Sequence, residues 1–155
     1  MSYIKGESRP DHGAAGDDCP FCRAPDEIED SLVVARGTVA YVVLNKFPYN
    51  SGHLLVCPYR HVADYSDLTV DEVAEVGALT QHAMQTLRRV SGAHGFNIGM
   101  NQGAIAGAGI AAHLHQHVVP RWGGDTNFLP VIGATKTIPQ LLEETRDLLI
   151  DAWEG

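Results

Sequence analysis

Three histidines stand at alternate positions in His113-Leu114-His115-Gln116-His117-Val118-Val119-Pro120. In an extended strand, side chains at i, i+2 and i+4 point to one face, with about 7 Å between successive members. The spacing therefore lines up His113, His115 and His117, and turns Leu114 and Val118 the other way toward apolar packing. A neutral imidazole can ligate a metal ion. It is also a competent nucleophile near neutral pH, because a useful fraction is unprotonated. Attack on phosphorus would give an N-linked phosphoramidate, labile enough for a second nucleophile to discharge. A merely hydrophilic face would not need histidine at three alternating positions. The approach to this row, Gly103-Ala104-Ile105-Ala106-Gly107-Ala108-Gly109, is built of the small residues that let backbone come close to phosphate oxygens.

A second constellation is Cys19-Pro20-Phe21-Cys22. This spacing can supply two thiolates to one zinc, and a redox pair has the same spacing. The pair sits on an N-terminal loop rather than after a strand, which is not a thioredoxin-like context. A structural zinc there needs two more ligands, and the histidines are the obvious source. The third cysteine, Cys57, lies among apolar residues and reads as a small buried side chain. His12, His82 and His94 lack comparable neighbours and read as solvated surface. Trp122 suits either stacking on a base or sealing an interface.

These residues must be positioned by a single core, since 155 residues correspond to one domain. The composition, 45% hydrophobic and 19% charged, is that of an ordinary globular chain. A formal net charge of −8 argues against a general nucleic-acid or membrane-surface binder, while leaving room for a local cluster of donors around a small anion. No apolar run approaches the ~20 residues of a membrane span. The first residues lack the apolar stretch of a signal peptide, so a cytoplasmic location is expected. Three cysteines fit a reducing compartment.

The elements follow from periodicity and punctuation. Residues 1–18, rich in Gly, Asp, Ser and Pro, read as a mobile N-terminal arm, and 19–155 as one domain. Leu32–Ala35 and Val39–Leu44 are expected strands joined by a hairpin at Arg36-Gly37-Thr38. His53–Cys57 is a third strand, closed by Pro58. Thr69 with Glu72 forms a capping box opening a long helix, whose stripe is Val73, Val76, Leu79, Ala83, Leu87 and Val90 and whose end is Ser91-Gly92. Phe96–Met100 is a fourth strand and His113–Val119 a fifth, stopped by Pro120. A second helix is expected from Thr137, with Gln140 completing another capping box and Leu141, Leu142, Leu148, Leu149, Ala152 and Trp153 facing inward. The order predicts an α+β fold with an antiparallel sheet and helices packed on it.

With these residues in view, the chain resembles the histidine-triad (HIT) family. His113-x-His115-x-His117-Val118-Val119 is similar to its His-φ-His-φ-His-φ-φ signature, with φ apolar, and the likeness runs from about Cys19 to Trp153. Asn45-Lys46-Phe47-Pro48-Tyr49-Asn50-Ser51-Gly52-His53 resembles the family's first nucleotide-side segment. Asn101-x-Gly103 and Pro120-Arg121-Trp122-Gly123-Gly124-Asp125-x-Asn127-Phe128 resemble the branch acting on diadenosine polyphosphates, Fhit-like and Ap4A phosphorylase-like. Two positions depart from the pattern. Gln116 is polar where the signature is apolar, and Gly109 stands where Fhit-like hydrolases carry glutamine.

The resemblance implies a HIT-like fold with a five-stranded antiparallel sheet, one long helix and a C-terminal helix, usually as a homodimer. It implies cleavage of dinucleoside polyphosphates such as Ap4A at an α-phosphate through a nucleotidyl-histidine, discharged by phosphate or water. His115 then matches the nucleophile, His117 the helper at the attacked phosphorus and His53 a supporting histidine. Asn45 matches the ribose-binding position, and Asn101, Gly107 and Gly109 fall on the phosphate side. Members with the cysteine knuckle hold one structural zinc per chain, which points to Cys19, Cys22, His61 and His113. The partner implied is a small nucleotide, with neither nucleic acid nor membrane. The alternative is a zinc-stabilised nucleotide sensor with little turnover. A hydrolytic zinc shared by all three motif histidines is disfavoured, because the cysteine pair offers a better use for His113.

Overall fold

The computed structural model describes residues 18–28, 31–125 and 139–154. The expected arm, apart from Asp18, lies outside the described residues, as do Thr137 at the start of the second helix and Asn127 and Phe128 of the flank. Five strands, β1 (Val33–Arg36), β2 (Ala40–Leu44), β3 (Leu54–Pro58), β4 (Gly95–Gly99) and β5 (Gln116–Arg121), form one antiparallel sheet in the order β1-β2-β3-β5-β4. Among the described residues the α-helices are α1 (Pro20–Arg23), α2 (Val70–Ser91) and α3 (Pro139–Trp153). The α+β architecture expected from the sequence is the one observed, and no helix among the described residues is long and apolar enough to cross a membrane.

Alternation along the strands divides the sheet into two unlike faces. Val42, Leu44, Leu54, Val56 and Val118 form a core with Val76, Ala83 and Leu87 of α2 and Leu149 of α3. The opposite face carries Tyr41, Val43, Leu55 and Cys57, with Phe21 and Tyr59 packed against them. His53 shares the parity of Leu55 and Cys57, and Leu55 pairs directly with His117 of β5. The helices thus hold one face of the sheet while the other presents the histidines.

The start of α2 is capped as expected: Thr69 Oγ1 accepts the Glu72 N–H, and the Glu72 carboxylate accepts the Thr69 N–H. Glu72 also takes two hydrogen bonds from Arg60, which hold its carboxyl down to about 2. Arg60 donates further to the Asp67 carbonyl, so the helix start is tied to the segment carrying His61. Glu75, one turn along, accepts the backbone N–H groups of Thr38, Val39 and Ala40. A Cβ on Gly37 would lie 2.7 Å from the Glu75 Cδ and 2.8 Å from the Ala40 carbonyl oxygen, which explains the glycine in that connection. Gly92, at φ 62, closes α2 in the left-handed conformation.

Four expectations are corrected. The fifth strand does not begin at His113: its ladder starts at Gln116, because the Leu114 N–H is given to the Val62 carbonyl rather than to β3. Nor does Pro120 end it. The ladder to β3 stops at Val118, so the missing N–H of Pro120 has no strand to serve, and the Pro120 carbonyl is taken by the Asn50 side chain. On the helices, Val73 is partly exposed, and Leu141 and Leu148 are 54% and 53% exposed. Leu142, Leu149 and Trp153 form the inner stripe of α3, since an i, i+7, i+11 series returns to one side while immediate neighbours turn away by ~100°. Finally, His82 is not simply solvated. Its Nε2 donates to the Trp153 carbonyl and its ring stacks on Trp153 at 4.3 Å, joining α2 to α3.

Leu87 is 1% exposed at the centre of the helix–sheet core. Leu87→Ala should cost about 2–5 kcal/mol of stability in urea unfolding. A loss below about 1 kcal/mol would show that α2 does not anchor the sheet as described.

Candidate functional site

The sheet's second face gathers His53, His113, His115 and His117, all buried. Ring centroids are 5.0 Å apart for His115 and His117 and 5.1 Å for His53 and His117. Their hydrogen-bond partners fix which nitrogen of each ring carries the proton. The Tyr49 backbone N–H, which can only donate, lies 3.1 Å from His53 Nδ1. His53 Nδ1 therefore accepts, and its proton sits on Nε2. His53 Nε2 lies 2.9 Å from His117 Nδ1, which must accept in turn, leaving His117 with an Nε2–H donor. His115 Nδ1 lies 2.9 Å from the His113 carbonyl, which can only accept, so His115 carries its proton on Nδ1 and a lone pair on Nε2. The site thus presents a bare imidazole nitrogen beside an N–H donor.

Burial keeps these rings neutral. It pulls His53 down to about 3, helped by the neighbouring His117 and His115. Burial also holds His117 at about 4, with His115 adding to the effect, and lowers His115 below the usual imidazole range.

His113 faces elsewhere. Its Nε2 donates to the Pro58 carbonyl at 2.9 Å, leaving the Nδ1 lone pair toward the sulfurs of Cys19 at 3.4 Å and Cys22 at 3.5 Å. His61 Nδ1 lies 3.3 Å from the Cys22 sulfur. One candidate ligand atom from each of Cys19, Cys22, His61 and His113 lies within 4.8 Å of the others. Two thiols and two imidazoles form a Cys₂His₂ donor set suited to a closed zinc site, and the Pro58 bond supplies the outer partner that orients a ligating histidine. This divides the motif: His113 joins the cysteines, while His115 and His117 stay together.

Of the residues read as nucleotide-binding, Asn45 is buried beside His53. Its Nδ2 lies 3.3 Å from His53 Nδ1, and its Oδ1 accepts the Phe47 N–H. Asn101, Gly107 and Gly109 lie on the connection from β4 to β5, with Gly107 at φ 86. Among the described residues none of the three is hydrogen-bonded to the histidines. Gln116 is half-buried, Cys57 is buried as expected, His94 is exposed and His12 is outside the described residues. The Trp122 indole donates to the Ser91 carbonyl.

Three contributors escaped the sequence reading. Phe21 packs on His115 at 4.8 Å and meets His113 edge-on at 5.6 Å. The Tyr49 ring stacks over His117 at 5.7 Å and against His53 at 4.7 Å. Asp125 takes hydrogen bonds from Arg121, the Trp122 N–H and Asn50, tying the loop that carries Tyr49 to the end of β5. The first two could have been suspected only from aromatic residues standing inside the knuckle and before Gly52-His53.

Comparison with known proteins fits this geometry. The family model described as "HIT domain" matches residues 26–124. A Mycobacterium tuberculosis protein named AP-4-A phosphorylase is 52% identical over 156 residues, covering 99% of this chain and 80% of that protein. A Zn-bound histidine triad family protein from Mycobacterium smegmatis superposes with a TM-score of 0.71 at 29% identity, covering 88% of this chain and 93% of that one. A histidine triad nucleotide-binding protein from Sulfolobus tokodaii superposes with a TM-score of 0.72 at 25% identity, covering 88% and 92%.

The buried neutral imidazoles make stability depend on pH with a definite sign. An unfolded histidine titrates near 6.5, whereas His53 and His117 in the fold titrate at about 3 and 4. As pH falls below 6.5 the unfolded chain takes up protons that the fold refuses, so stability is full above that value and declines toward pH 4. Melting temperature should fall across this window, and more gently in His53→Asn, which has one buried imidazole fewer. Parallel curves for the two proteins would contradict the assignment.

Proposed function

The chain belongs to the HIT-domain family, and from that premise we propose that it cleaves diadenosine tetraphosphate at an α-phosphate through an adenylyl-His115 intermediate. The observation that carries this reading is the pair of nitrogens at the site: a lone pair on His115 Nε2 beside an N–H on His117 Nε2. In the first step His115 Nε2 bonds to the α-phosphorus as the bond to the bridging oxygen breaks and ATP leaves. His117, with its proton oriented through His53, donates to an oxygen of the reacting phosphate. Such a donor, fixed before charge develops, acts chiefly on the transition state. In the second step an inorganic phosphate oxygen attacks the same phosphorus and displaces Nε2. ADP is released and the neutral imidazole regenerated.

Phosphate as the acceptor is supported by the 52% identity to a protein named AP-4-A phosphorylase. It is also supported by Gly109, which places no side chain where Fhit-like hydrolases carry a glutamine. Asn45 offers a carboxamide to the ribose hydroxyls, and the Asn101, Gly107 and Gly109 connection lies on the phosphate side. Cys19, Cys22, His61 and His113 would hold one zinc, which contributes folding stability and leaves His115 and His117 free. The protein works in the cytoplasm as a homodimer, to which the exposed Val70 and Val73 of α2 and Ile98 of the edge strand β4 would contribute.

Incubation with Ap4A and millimolar phosphate should give ATP and ADP by nucleotide chromatography. ATP and AMP without ADP would end the phosphorolytic reading. His115→Ala should lose several orders of magnitude of activity, and a rate within about tenfold of wild type, only ~1.4 kcal/mol of barrier, would overturn the nucleophile. Metal analysis should find one zinc per chain, and Cys19→Ser should abolish its binding and lower the melting temperature. Freshly purified wild-type protein that carries no zinc, with Cys22 freely alkylated, would remove the zinc.

A further inference from the structure

We propose that the Cys19–Cys22 knuckle is a positioning device for the His115 ring, so that metal held there sets the orientation and tautomer of that ring through Phe21 and the His113 carbonyl. The inference rests on the reading of His115 as the attacking group. It begins from the place of Phe21 between two of the four candidate ligands.

The knuckle is a tight turn in which the N–H groups of Cys22 and Arg23 both donate to the Cys19 carbonyl. Its backbone is anchored to the sheet by the buried Tyr41 hydroxyl, which donates to the Phe21 carbonyl at 2.7 Å. From this anchored turn the Phe21 ring reaches His115, 4.8 Å between centroids and tilted by 42°. On its other contacts His115 meets His117 at 5.0 Å and the His113 carbonyl at 2.9 Å. Phe21 and His117 thus restrain the plane of the imidazole, and the carbonyl chooses between its two faces. A half-turn about the Cβ–ring bond would exchange Nε2 for Cε1 and Nδ1 for Cδ2, presenting carbon where the lone pair should be.

Both restraints lead back to the same four residues. Phe21 is carried by the segment of Cys19 and Cys22, and the accepting carbonyl belongs to His113 itself. Those ligands come from three separate stretches: the knuckle, the segment after β3 and the approach to β5. The Leu114 N–H to Val62 carbonyl bond and the His113 to Pro58 carbonyl bond already join the last two, and the candidate ligand atoms themselves meet through sulfur–nitrogen contacts of 3.3–3.5 Å. A bound cation would fix the three stretches together, and with them the flank and the acceptor of the His115 ring. The site then governs the chemistry while standing outside the reacting atoms.

The test uses full-length, zinc-loaded protein labelled with ¹⁵N-histidine, in wild type, Phe21→Ala and Phe21→Tyr forms. In wild type the His115 nitrogens should report a single Nδ1–H tautomer. Phe21→Ala should retain zinc, lose that single tautomer and show kcat toward Ap4A reduced about 10- to 100-fold with KM little changed. Phe21→Tyr, which keeps the ring, should restore both readings. Chelated wild-type protein supplies a second measurement that needs no substitution, and it too should lose the single tautomer. Retention of that tautomer after chelation, wild-type kcat in Phe21→Ala, or an effect confined to KM would overturn the proposal. Failure of the underlying reading has a different signature: His115→Ala would stay active.

Discussion

The hydrogen bond from His115 Nδ1 to the His113 carbonyl, 2.9 Å long, is the contact on which the proposed chemistry depends. A carbonyl cannot donate, so this bond commits the His115 proton to Nδ1 and frees Nε2. Burial then keeps the ring neutral. The same residue that supplies the carbonyl turns its own ring toward the thiols of Cys19 and Cys22, with its other nitrogen given to Pro58. His113 therefore stands at the junction of two candidate sites: its side chain faces the cysteines of one and its main chain orients a ring of the other.

A second relay runs in parallel from Tyr49 N–H through His53 to His117. Its logic is also elimination: a backbone amide can only donate, and each ring passes on what it receives. The relay needs His53 and His117 on one face at adjacent strands, which the antiparallel pairing of Leu55 with His117 provides. The other face of those strands is occupied by the α2 and α3 core. The division of the sheet into a packed side and a chemical side lets buried, uncharged histidines persist without compromising the apolar core. Its cost is sensitivity to acid, because each such ring withholds a proton-binding site that the unfolded chain has.

Much of this was legible in the sequence because it rests on periodicity. Alternation at 113, 115 and 117, the capping box at Thr69 and Glu72, and the order of elements all follow local rules. The Cys₂His₂ grouping followed from resemblance, since nothing local to Cys19 and Cys22 points to His61 or His113. What stayed hidden depends on long-range geometry. The start of β5 was misplaced because Leu114 finds its acceptor at Val62, outside the strand pattern. Pro120 read as a stop because its sheet neighbours on each side were unknown. Phe21 and Tyr49 were missed because an aromatic beside a motif becomes informative only when its ring is placed.

If His115 attacks the α-phosphate, a covalent bond joins the two for the time between the steps, and that bond can be caught. A phosphoramidate survives alkali better than acid, so protein should be mixed with Ap4A in the absence of phosphate, quenched in base and digested for mass spectrometry. One peptide, containing His115, should be heavier by one adenylyl group, and the adduct should be discharged when phosphate is added before the quench. An adduct on any other residue, or none while Ap4A is being consumed, would contradict that attack.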